Sequence, residues 1–207
     1  SGGKKPVLKL LKNLYGLKQA GRLWNQMLDE KLRELTFKQS SVDMCLYYKI
    51  TKTTLVLVGV YVDDLLVTSN DLKLVDDFFE GMKTFDANDL GVATKFLGIK
   101  IEYDTIFSYS MGQRIAILNL IEQFGMKDAK PVGTPIAEVV FSAEDMHLLS
   151  DQEASLFRTL AGALLWITRC TRPDIGFAVH QMTRRTHAPR MCDFKIGKRI
   201  LRYLAGT

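Results

Sequence analysis

Leu17, Ala20, Trp24, Leu28, Leu32 and Leu35 recur at the spacing of one helix face, so residues 18–35 predict an amphipathic helix. The pattern then changes. MCLYYKI (44–50), LVLVGVY (55–61) and LLVTS (65–69) are rich in β-branched and aromatic residues and read as strands, with TKTT joining the first two. Asn70 or Asp71 can cap a following helix whose Leu72, Val75, Phe79, Met82 and Phe85 share a face. KFLGIKIEY (95–103) and TIFSYS (105–110) read as a strand pair. Beyond about residue 111 the pattern is helical. Leu118, Ile121 and Phe124 group within 113–124, with Gly125 as a stop, and PVGTPIAEVV is a loop. Ser150 and Glu153 form a capping box before a helix carrying Leu156, Leu160, Leu164 and Ile167. TRPD ends it, and helices around 174–186 and 193–204 follow. The expectation is an α+β unit over residues 1–110 and a mainly helical one over 111–207.

Composition narrows the class. The chain is 47% hydrophobic and 25% charged, the profile of a globular protein with room for one or two cores. No apolar run is long enough to cross a bilayer, because Asp63 and Asp64 interrupt the best candidate, and the N-terminus has no signal-type core. The chain begins without methionine and reads as a piece of something longer. Cys45, Cys170 and Cys192 are scattered and odd in number, which suits reduced thiols in an intracellular protein and gives no metal spacing. The net charge of +5 is uneven: residues 1–28 hold Lys4, Lys5, Lys9, Lys12, Lys18 and Arg22, acids dominate 60–104, and residues 184–202 turn basic again. Basic flanks around an acidic centre suit a polyanion held beside a cation site, although for charge alone solvated helix faces are the better reading.

The short separation of the strands at 55–61 and 65–69 predicts a hairpin with Val62, Asp63 and Asp64 at its tip. Tight hairpin loops favour Gly, Asn or Asp with Gly, so Val-Asp-Asp is a poor folding choice and marks a candidate functional site. Adjacent carboxylates can share hard divalent cations, as in two-metal phosphoryl transfer. An exposed acidic turn describes the same residues equally well.

Tyr61-Val62-Asp63-Asp64 between apolar strands resembles the Y-x-D-D motif of reverse transcriptases. LKNLYGLKQAGRLWNQML, DMCLYYK, VGVYVDDLLVTSND, DLGVATKFLGIKI, LIEQFGM, LLWITRCTRPDIGFAV and KRILRYLAGT resemble, in order, consecutive blocks of the Ty1/copia-type retrotransposon enzyme, from about Leu8 onward. The resemblance implies a polymerase palm with an antiparallel sheet and the motif hairpin, followed by a helical thumb and connection region, with the fingers largely absent. It implies Mg²⁺, or Mn²⁺ in its place, held by Asp63 and Asp64. Tyr61 and Val62 then lie beside the primer end and nucleotide, and Gly16, Lys18 and Gln19 near nucleotide and template. Phe96, Leu97 and Gly98 match the primer-grip region. The implied partners are an RNA or DNA template with its primer, dNTPs, and the rest of a Pol polyprotein: upstream fingers and palm, downstream RNase H. The implied setting is the cytoplasm or a virus-like particle.

The chain also departs from the family. The third catalytic carboxylate belongs to a block that precedes residue 1, so the fragment is expected to be inactive alone. Gly21 occupies a usual proline position, Ala116 a common tyrosine position and Asp193 a customary histidine position. A non-catalytic nucleic-acid-binding remnant is the competing expectation. Trp24 and Trp166 occupy helical positions that read as core packing, and His147, His180 and His187 have no partner at ligand spacing.

Overall fold

The computed structural model describes residue 10 and residues 14–85, 87–103, 108–137 and 141–207. The chain divides into two compact units, Ser1–Ala93 and Thr94–Thr207. Together they are α+β, with two antiparallel sheets and six α-helices among the described residues. No described helix is long and apolar enough to cross a membrane.

In the first unit α1 (Ala20–Glu34) leads into a four-stranded sheet of β1 (Lys38–Gln39), β2 (Leu46–Ile50), β3 (Leu55–Tyr61) and β4 (Asp64–Ser69), in sequence order. Strand alternation sorts β3. Val56, Val58 and Val60 are buried, while Leu57 and Gly59 turn to the opposite face. The buried face packs on Leu28 and Leu32 of α1, on Phe37, and on Phe78 and Met82 of α2 (Leu72–Met82). Asp71 caps α2 by accepting from the Lys73 amide at 3.0 Å. Met82 is buried and Phe79 and Phe85 pack beside it, as expected, but Leu72 is 81% exposed and Phe78 adds a buried contact, edge-to-face with Phe37 at 5.6 Å. Tyr47 of β2 is buried and its hydroxyl donates to Asp29 at 2.9 Å, while Arg33 donates to the same carboxylate. The Arg33 hydrogen bond, aided by Tyr47, holds the Asp29 carboxyl below the usual carboxylate range. Burial first, then donation to Asp29, pushes the Tyr47 phenol up to about 12.

The second unit begins with a three-stranded sheet: β5 (Lys95–Phe96), β6 (Ile99–Tyr103) and β7 (Tyr109–Gly112). KFLGIKIEY is therefore a hairpin in itself rather than one strand. Leu97 and Gly98 form its tip, both at positive φ, the pattern of a type I′ turn. Residues 105–107 of the expected partner strand lie outside the described residues. The helices α3 (Arg114–Gln123), α4 (Asp151–Cys170), α5 (Gly176–Thr183) and α6 (Met191–Gly206) share a core that includes Phe157, Leu160, Leu164, Ile167, Met182, Ile200 and Leu201. In the capping box of α4, Ser150 accepts from the Glu153 amide and the Glu153 carboxylate accepts from the Ser150 amide. Ile117 and Leu120 of α3 and Phe157 of α4 are buried, whereas the expected Leu118 and Leu156 are about half exposed. Asp193 is 1% exposed, accepts from the Arg190 amide at 3.0 Å and pairs with Arg185 at 2.9 Å, closing the first turn of α6.

Candidate functional site

Tyr61 pairs with Asp64 across the β3–β4 ladder, so the hairpin turn has two central residues, Val62 and Asp63. Asp64 is the first residue of β4 rather than part of the turn. Val62 has φ +55 and Asp63 does not share a positive φ, the pattern of a type II′ turn, whose first central position favours glycine. A β-branched side chain is strained there. Asp63 and Asp64 are exposed, as are Tyr61 and Val62 at 54% and 62%. By strand alternation Tyr61 and Asp64 lie on the face opposite Val60 and Leu65, away from α1 and α2.

The segment before α1 reaches this tip. The Tyr15 hydroxyl lies 3.4 Å from Asp63 Oδ2, long for a hydroxyl–carboxylate hydrogen bond. The Trp24 indole Nε1–H donates to the Val62 carbonyl at 2.9 Å. Gly16 turns the chain at φ +89, a conformation glycine adopts without strain. Lys18 and Gln19 are exposed, and Gln19 is the N-cap residue of α1 without a side-chain cap. Phe96, Leu97 and Gly98 belong to the second unit. There a Cβ on Gly98 would meet the Trp166 ring at 3.2 Å, so glycine permits the close approach. Trp166 is 40% exposed and lines a pocket of about 500 Å³ on α4 with Leu165, Arg169 and Cys170. Helical spacing assigns both tryptophans to packing; Trp24 in addition donates a hydrogen bond to the hairpin turn. The missed signals are Trp24, which acts across 38 residues, and Tyr15, adjacent to Gly16 in the motif block.

Mg²⁺ is commonly bound by one or two carboxylates together with waters and substrate phosphates. Asp63 and Asp64 supply such a pair at an open tip, so the donor set fits one hard divalent cation. Among the described residues no group of three or more His, Cys, Asp or Glu side chains gathers, so a third carboxylate is not supplied from within them.

The adjacent carboxylates of Asp63 and Asp64 thus sit at a two-residue hairpin tip that Tyr15 and Trp24 reach. The profile of the family described as reverse transcriptase (RNA-dependent DNA polymerase) matches residues 1–138, and the chain belongs to that family. More narrowly, it is a reverse transcriptase fragment of a copia-type retrotransposon. It is 35% identical over 215 residues to the retrovirus-related Pol polyprotein from transposon TNT 1-94 of Nicotiana tabacum, covering 100% of this chain and 16% of that polyprotein. It is 36% identical to the Pol polyprotein from transposon RE1 of Arabidopsis thaliana, covering 97% of this chain and 14% of the relative. The putative transposon Ty5-1 protein of Saccharomyces cerevisiae is 29% identical over 97% of this chain and 65% of its own length. The chain thus spans about one-seventh of the plant polyproteins it matches. No solved structure matches it.

Proposed function

We propose that this chain is the palm, thumb and connection portion of an RNA-directed DNA polymerase that extends a primer with dNTPs. The observation that carries the reading is the turn at Val62–Asp63: a strained backbone presents two adjacent carboxylates, and the LYGLKQ segment reaches Asp63 through Tyr15. Asp63 and Asp64 would hold Mg²⁺, or Mn²⁺, and the bound cation supplies charge neutralisation for the triphosphate and activation of the attacking oxygen. Tyr61 and Val62, exposed beside them, would set the primer end and the nucleotide. Gly16, Lys18 and Gln19 would face the triphosphate and template: the ammonium attracts phosphate, and the glycine lets backbone approach closely. Phe96, Leu97 and Gly98 would support the primer, with Trp166 and Arg169 of the same unit offering a ring and a cation to nucleic acid. Among the described residues no third carboxylate gathers with Asp63 and Asp64, so this chain alone would leave the cation site incomplete, and upstream palm and fingers and downstream RNase H would be its partners in a Pol polyprotein. The setting would be intracellular.

The test is primer extension on an RNA template. The chain alone is expected to extend little or not at all. A longer chain with the upstream palm block should extend in Mg²⁺ and lose that activity on Asp63→Asn. Activity retained after Asp63→Asn refutes the proposal. An inactive longer chain that still binds primer–template, with salt-steep affinity indifferent to both aspartates, establishes the nucleic-acid-binding remnant instead.

A further inference from the structure

The Trp24 indole is held on one side by Phe85, with ring centroids 4.9 Å apart. Its single N–H donates to the Val62 carbonyl at 2.9 Å. The β3–β4 ladder ends at the Tyr61–Asp64 pair, so the ladder offers that carbonyl no partner. Val62 is also the residue forced to φ +55. Strained backbone persists only where its surroundings over-determine it, and Trp24 touches the turn backbone directly. By contrast, the Tyr15 contact is long, reaches a side chain, and comes from a residue 90% exposed.

We infer that Trp24 is a positioning residue: its indole N–H latches the Val62–Asp63 peptide and so fixes how the Asp63 and Asp64 carboxylates are presented. The link to cation binding rests on the proposed reading of the tip; the latch itself rests on the geometry of Trp24, Val62 and Phe85. Clamped against Phe85, the ring is a preorganised donor, and it couples α1 to the hairpin at the place where the chemistry requires rigidity.

Trp24→Phe keeps a ring against Phe85 and removes the donor. In ¹⁵N spectra of the full chain, the indole resonance lost on substitution belongs to Trp24, and in the parent it exchanges more slowly than that of the exposed Trp166. In Trp24→Phe the Asp63 and Asp64 amides become more mobile, while Tyr47 and Val58 amides in the sheet core do not change. Apparent Mn²⁺ affinity at the tip falls about five-fold, the worth of one neutral hydrogen bond of about 1 kcal/mol. In a Val62→Gly background the same substitution costs less than about two-fold, because glycine holds a positive φ unaided. Unchanged order at Asp63 and Asp64, or an equal Mn²⁺ loss in both backgrounds, makes Trp24 a packing residue and overturns the inference. If the parent chain binds no Mn²⁺ at the tip, the cation reading fails, and the indole exchange with the Asp63 and Asp64 amide order still decides the latch.

Discussion

The order of stability among substitutions at Val62 tests whether the turn is strained. At φ +55 a residue with a Cβ is disfavoured by about 1–2 kcal/mol, a cost glycine escapes. Glycine in turn costs about 0.5–1 kcal/mol more than alanine in backbone entropy. Val62 is already 62% exposed, so trimming its side chain removes little burial in either substitution. The difference between the two opposing terms places Val62→Gly above Val62→Ala in stability by about 0.5–1 kcal/mol. At an ordinary strand position the order is the reverse, by a similar amount. Native-state hydrogen exchange at Val56, Val58 and Val60 reports the opening free energy of the first unit directly. If Val62→Ala equals or exceeds Val62→Gly there, the turn is not strained, and the mechanical reason for a functional tip disappears.

Tyr47 provides a pH-dependent check on the same unit. Its phenol is raised from 10.0 to about 12 in the fold, so its contribution is fully present below pH 10 and is lost as pH rises through about 12. Absorbance titration should show one of seven tyrosines ionising late, and Tyr47→Phe should remove both that signal and the associated fall in stability. In the second unit, Asp193→Ala strands the Arg190 amide and Arg185. Because Arg185 is 46% exposed, the expected cost is about 2–4 kcal/mol by urea unfolding, below the full penalty for breaking a wholly buried pair. Asp193→Asn should recover part of it by preserving the amide hydrogen bond. A cost under about 1 kcal/mol for Asp193→Ala contradicts the role assigned to that carboxylate.

The sequence reveals most where structure is made by near neighbours. The caps at Asp71 and Ser150 are bonds between residues two or three apart, and the alternation of β3 follows from a sheet covered on one face. Helix faces are less legible. In α4, Leu156, Phe157, Leu160, Leu164 and Leu165 offer more than one apolar stripe, and only packing with α3, α5 and α6 selects the one containing Phe157. Gly98 carried a turn signal within KFLGIKIEY, but the apolar residues around it read as continuous strand. Contacts across distance were not readable at all. Asp193 is an acid on a basic helix whose burial depends on Arg185, eight residues away, and Trp24 finds its acceptor 38 residues along the chain. The Tyr61–Asp64 motif was legible through its resemblance to the Y-x-D-D block, since the broken turn preference alone fits an exposed acidic turn equally well. Its strain at Val62 was not, since φ belongs to the folded backbone.

The central physical claim is that the hairpin tip is a cation site. Titrating the full chain with Mn²⁺ while recording amide spectra tests it directly, because paramagnetic broadening marks the residues nearest the ion. Broadening should begin at Tyr61 to Leu65 and at Tyr15, at weak affinity suited to two carboxylates, and should vanish in Asp63→Asn/Asp64→Asn with the sheet amides otherwise unchanged. Broadening that is spread evenly over the acidic surface of residues 60–104, or that survives the double substitution, would show an ordinary acidic bend and no site.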